Sequence, residues 1–98
     1  MSRYKKEFLA YLSRRECGFF IFIYDREIVE NKNSRFYGVK INLACDEREL
    51  NDILSKCVSI NFFGEKSVKK GLEKGYIHPD SIIEIDGIPC AIFIQTSR

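Results

Sequence analysis

FFIFIYD, residues 19–25, is the stretch on which the reading of this chain turns. Both of its alternating sets are apolar: Phe19, Ile21 and Ile23 on one side, Phe20, Phe22 and Tyr24 on the other. Aromatic and β-branched residues favour a strand over a helix. A strand with two apolar faces is either central and covered on both sides, or it turns its second face to a partner.

Upstream, Tyr4, Phe8, Tyr11, Leu12 and Arg15 recur at helical spacing, which predicts a helix with Ser2 at its start and Gly18 past its end. Downstream, Asn31-Lys32-Asn33-Ser34 reads as a turn, and RFYGVKINLA alternates cleanly. Tyr37, Val39, Ile41 and Leu43 are expected to face inward, and Gly38, Lys40 and Asn42 outward. The two strands are expected to form a hairpin across residues 30–34.

DERELNDILSKC, residues 46–57, is the best-marked helix. Asp46 and Glu49 have the spacing of a capping box, acidic residues occupy the first turn, and Leu50, Ile53, Leu54 and Cys57 form one stripe. VSINFF, residues 58–63, is a short strand. GEKSVKKGLEKG, residues 64–75, predicts a weaker helix anchored by Val68 and Leu72, with Gly71 costing about 1 kcal/mol relative to Ala.

SIIEIDGIPCAIFIQ, residues 81–95, carries the strongest hairpin signal, Asp86-Gly87 between isoleucines. Counting outward pairs Ile85 with Ile88, Glu84 with Pro89, Ile83 with Cys90, Ile82 with Ala91 and Ser81 with Ile92, so Ile83, Ile85, Ile88, Cys90 and Ile92 share an apolar face. Glu84/Pro89 is then a pair without mutual hydrogen bonds. The missing N–H of Pro89 points away from its hairpin partner and blocks pairing with any neighbour there. The last strand is therefore a sheet edge near the turn, or its neighbour pairs only with Ala91 to Gln95.

The expected architecture is a single α+β domain over residues 1–98. It has an antiparallel or mixed sheet of about five strands and two or three helices packed mainly on one face, in the order α-β-β-α-β-α-β-β. Hydrophobic residues are 45% and charged residues 31%, the balance of a folded soluble chain. The charged N-terminus lacks the apolar stretch of a signal peptide, and no run approaches the ~20 apolar residues of a membrane span. A cytoplasmic protein with no membrane association is the expectation. Cys17, Cys45, Cys57 and Cys90 contain no C-x-x-C pair and His78 is the single histidine, so reduced thiols and no metal are expected.

Net charge is +2 but unevenly placed: residues 1–16 sum to +3, residues 46–55 to −3 and residues 65–75 to +2. Lys66, Lys70 and Lys74 recur every fourth residue with Lys69 beside them, a cationic helix face suited to phosphates or an acidic protein. Phe36 lies on the polar side of its strand beside Arg35, a pairing that suits a binding anchor. Arg35, Tyr37 and Gly38 match the aromatic strand of an RNA-recognition motif, but Phe36 replaces its glycine and the element order differs. Glu84 and Asp86 at the hairpin tip form a second candidate contact surface. His78 before Pro79 and Asp80 reads as a turn, and no catalytic or cofactor motif stands out, so no enzyme and no cofactor are expected.

Short helices cannot cover every apolar strand face, and exposed apolar patches mark interaction sites. The expected function is binding of another protein, as an inhibitor of the antitoxin or immunity type, or self-association. The alternative is an RNA-binding module using the lysine helix and the aromatic strand.

Overall fold

The computed structural model describes residues 6–96. Six strands form one mixed sheet: β1 (Phe8–Arg15), β2 (Gly18–Asp25), β3 (Leu43–Cys45), β4 (Cys57–Phe63), β5 (Ile83–Ile85) and β6 (Ile88–Ile94), in spatial order β3-β1-β2-β4-β6-β5. β2 and β4 run parallel; every other neighbouring pair is antiparallel. Three helices complete the α+β fold: α1 (Arg26–Glu30), α2 (Glu47–Leu54) and α3 (Glu65–Glu73). The sheet therefore has one strand more than expected, and the order of elements differs at the N-terminal end.

The expected helix over residues 4–15 is a strand from Phe8 onward. Phe8, Ala10 and Leu12 also recur at period two, and Phe8 and Ala10 are buried on the same sheet face as Ile21 and Ile23 of β2. The apolar residues fit both periods, and pairing with β2 from Phe8↔Asp25 to Arg15↔Gly18 decides between them. Gly18 opens β2 after a tight turn rather than closing a helix. Ser2 and Tyr4, part of the helix reading, lie outside the described residues.

Residues 35–44 are the second correction. Only Leu43–Cys45 forms a strand, and its partner is β1, not β2. Successive turns consume the rest: Tyr37 N–H donates to Ser34 O, Phe36 N–H to Ser34 Oγ, and Val39 N–H to Phe36 O. Asn42 then joins β1 through its side chain, accepting from Leu12 N–H at 2.8 Å and donating to Leu12 O at 2.9 Å. Ile28 and Val29 lie in the short helix α1 that follows β2 directly.

The remaining elements follow the sequence closely. Asp46 caps α2, accepting from Glu49 N–H at 2.8 Å, while the Glu49 carboxylate accepts from Asp46 N–H at 2.9 Å. The hairpin turn has Asp86 and Gly87 at φ 52° and 79°, the positive values a type I′ turn needs. Its register is Ile83↔Cys90, Glu84↔Pro89, Ile85↔Ile88. The expected pairs Ile82/Ala91 and Ser81/Ile92 do not form, because Pro79–Ser81 is a 3-10 turn and the strand begins only at Ile83.

Pro89 sits where one neighbour changes role. β4 pairs with β6 from Ser59↔Ile94 to Phe63↔Cys90 and stops. Gly64 N–H donates to Pro89 O at 2.8 Å, but Pro89 has no N–H to return, and Gly64 O accepts from Val68 N–H as the first bond of α3. Pairing with β4 therefore reaches Cys90, one residue past the expected limit of Ala91, and includes one bond to the Pro89 carbonyl; the missing N–H then ends the ladder where the helix begins.

The sheet separates two apolar clusters. On one face Ile21, Ile23, Ile60, Phe62, Ala10 and Ala91 pack beneath α2 and α3, with Leu50, Leu54 and Val68 from the helices. On the other, Leu9, Tyr24 and Phe63 lie under α1 and the loop 31–42, which contributes Phe36, Val39 and Ile41. No helix among the described residues is long and apolar enough to cross a membrane.

Candidate binding face

Strand registers place three rows of side chains on the sheet face opposite α2 and α3, because cross-strand partners share a face. The first row runs Leu9, Tyr24, Phe63, Cys90, Ile83; the second Tyr11, Phe22, Asn61, Ile92; the third Ser13, Phe20, Ser59, Ile94. Most of the first row is covered: Leu9, Tyr24 and Cys90 are buried, Phe63 is half-buried, and Ile83 at its end is exposed. Phe36 meets Tyr24 and Phe63 at centroid distances of 5.9 and 5.1 Å, and those two rings stack at 4.8 Å.

Beyond the first row the face is partly open, with Ser59 buried and Tyr11, Ser13 and Asn61 half-buried. Ile83, Ile92 and Ile94 are exposed at 59%, 54% and 61%. Phe20 and Phe22 are half-buried beside them. Phe20, Val58, Ser59, Ile94, Gln95 and the exposed Cys17 line a shallow depression at the hairpin end of β2.

Cations border the aromatic side. The Arg15 guanidinium lies 4.9 Å from the Phe20 ring centre, and Lys40 Nζ lies 5.0 Å from that of Tyr11. Among the described residues, no strand side chain on this face is acidic.

The residues singled out from sequence fall into different surroundings. Lys66 and Lys69 are exposed on α3 and Lys74 is exposed just past its end, but Lys70 is buried in an ion pair with Glu47 and lies 3.7 Å from Glu73. Lys70 is a tie between α3 and α2, and its contact holds the Glu47 carboxyl below its ordinary range. The helix does not present four free ammonium groups on one face, and Leu72, expected as an anchor, is exposed. Ser67, Val68, Lys70 and Gly71 are the buried residues of α3.

Phe36 points into the second cluster and Tyr37 outward at 51% exposure, the reverse of the strand assignment. Arg35 reaches the hairpin turn, with Nη1 2.9 Å from Asp86 Oδ2, so those two candidate residues meet. Glu84 is exposed. On β5 it alternates with Ile83 and Ile85, so it belongs to the opposite face.

His78 Nδ1 accepts from Asp80 N–H at 3.1 Å and caps the 3-10 turn Pro79–Ser81. Cys45, Cys57 and Cys90 are buried, free thiols; burial raises all three, Cys57 to about 11. Such thiols are poor nucleophiles.

Asp25 had no role in the sequence reading. It is 1% exposed at the end of β2, and its carboxylate accepts from Lys66 N–H at 2.9 Å, Ser67 N–H at 2.8 Å and Ser67 Oγ–H at 2.7 Å. It caps α3 across the sheet, as a carboxylate at a helix N-terminus does. Gly64 has φ 110°, and a Cβ there would lie 2.4 Å from Asp25 Cγ. Sequence offers no signal for a cap donated from 41 residues away.

A mixed six-stranded sheet with α2 and α3 on one face and an aromatic loop on the other defines an α+β protein whose second sheet face is half covered. Over residues 20–96 the chain matches, and belongs to, the family described as protein of unknown function DUF424. The structure is similar to that of an uncharacterized conserved protein from Methanopyrus kandleri. That match has a TM-score of 0.62 and 14% identity, and covers 93% of this chain and 95% of that one. No curated protein matches the chain.

Proposed function

We propose that this chain acts by binding another protein through the open part of the sheet face, in the manner of an inhibitor of the antitoxin or immunity type. The observation that carries the reading is the cluster of Ile83, Ile92 and Ile94, each more than half exposed on adjacent strands beside half-buried Phe20 and Phe22. A contiguous apolar surface of this kind is costly to leave in water and is characteristic of contact sites. The test is the double variant Ile83→Lys with Ile92→Lys, compared with the native chain for retention of a stoichiometric complex from its own cells. Loss of the complex with an unchanged melting transition supports the reading. An equally retained complex refutes it.

A second reading, binding of single-stranded RNA, draws on Arg15 over Phe20 and Lys40 over Tyr11, which set cations beside aromatic rings on this same face. It requires affinity that falls steeply between about 50 and 200 mM salt, and a labelled oligonucleotide that does not bind at low salt removes it.

A further inference from the structure

The phase of the backbone hydrogen bonds along β6 identifies an open edge. Gly64 N–H donates to Pro89 O and Gln95 N–H to Val58 O, both at 2.8 Å, so the odd-numbered residues of β6 turn their backbone groups toward β4. The even-numbered residues turn theirs the other way. Ile88 and Cys90 meet β5 there, at Ile85 and Ile83. β5 then ends, and the chain before it folds away through the turn Pro79–Ser81, where Ser81 N–H donates to His78 O. Among the described residues, the outward N–H and C=O groups of Ile92 and Ile94 have no backbone partner.

We propose that this edge pairs with the same edge of a second copy of the chain, joining two sheets into one; the proposal rests on the protein-binding reading and names its partner. Three observations favour a second copy. First, the free groups are symmetric about Phe93. A twofold axis there sets Ile92 opposite Ile94 of the second copy, and Ile94 opposite its Ile92. Antiparallel pairs of this type exchange two bonds each, so the two pairs use every free group on both edges.

Second, Ile88–Gln95 contains no charged residue, so two chains of net charge +2 meet without local repulsion. This segment also lacks the lysines, bulges and outward prolines with which isolated proteins protect an edge. Third, Ile92 and Ile94 of both copies would lie side by side on one sheet face, removing from water the side chains exposed at 54% and 61%. β5 occupies the same edge as far as Cys90 and limits pairing to Ala91–Gln95.

Sedimentation of the full chain, up to its solubility limit, is expected to give twice the chain mass. Amide exchange at Ile92 and Ile94 should slow as concentration rises. Ile94→Pro removes an N–H that the β4 ladder does not use and is expected to yield a folded monomer; Ile92→Lys should do the same through the side chain. Ile83→Lys lies outside the paired segment and should stay dimeric. A monomeric native chain overturns the proposal and leaves another protein as occupant of the face, which the double-lysine comparison above decides separately. A dimer whose Ile92 and Ile94 amides exchange at a concentration-independent rate pairs elsewhere and overturns it as well.

Discussion

The two faces of this sheet are finished differently. Under α2 and α3, Ile21, Ile23, Ile60 and Phe62 are fully buried, and each helix is tied down by polar contacts: Asp46 caps α2, Asp25 caps α3, and Lys70 links α3 to Glu47. On the opposite face a five-residue helix and an irregular loop cover Leu9, Tyr24 and Phe63, and three isoleucines remain in water. A chain of this length supplies two good amphipathic helices, enough for one face. The difference separates side chains that hold the fold from side chains free to do something else, and it can be attacked from either side.

The largest loss is expected on the covered face. Phe62 is completely buried and touches both Tyr76 and the α3 backbone around Gly71. Phe62→Ala should cost about 3–5 kcal/mol in denaturant unfolding, through lost transfer energy and the cavity left behind. The equivalent change on the open face should cost far less, so a loss below 1 kcal/mol at Phe62 breaks the distinction between the faces.

Asp25→Ala comes next, at about 3 kcal/mol, because it strands two backbone donors and a hydroxyl at the start of α3. Asp25→Asn keeps an acceptor and should cost less. Amide exchange localises the effect: Lys66, Ser67 and Val68 should lose protection before any strand does.

Gly71→Ala sharpens the comparison further, since its sign differs between sequence and structure. Helix propensity alone favours Ala by about 1 kcal/mol. Yet a Cβ at residue 71 would lie 2.3 Å from Ile77 Cδ1, 2.8 Å from Cγ1 and 3.1 Å from Phe62 Cε1. Ile77 and Phe62 are both buried. A net destabilisation of about 1–2 kcal/mol is expected, and a gain in melting temperature would show that α3 is loosely docked after all.

Gly71 also illustrates what the sequence could and could not disclose. Elements specified within a few residues were legible: the Asp46–Glu49 box, and the Asp86-Gly87 turn with the three pairs next to it. Elements specified by distant partners were not. Phe8 to Arg15 satisfies two periods at once, and β2 chooses between them. Phe36 inverts its expected direction because turns within residues 34–39 replace an extended strand. Lys70 looks like one of four surface lysines until α2 places Glu47 against it. The apolar hairpin face was visible from alternation, but its exposure depends on where the loop 31–42 ends.

The smallest expected effect is the most discriminating. Ile83→Lys places a charge on a side chain already 59% exposed at an outer strand, next to no described acidic partner on its face. Surface substitutions of this kind usually change stability by less than about 0.5 kcal/mol. A lysine at Ile21 would instead have to bury its charge among Ile23, Ile60 and Leu54 or unfold that face. If Ile83→Lys melts like the native chain, the isoleucine contributes nothing the fold needs, and its position in water must be explained by what meets it. If it costs as much as a core change, the open face is held by contacts of its own, and the division between structural and interacting surfaces fails at that strand.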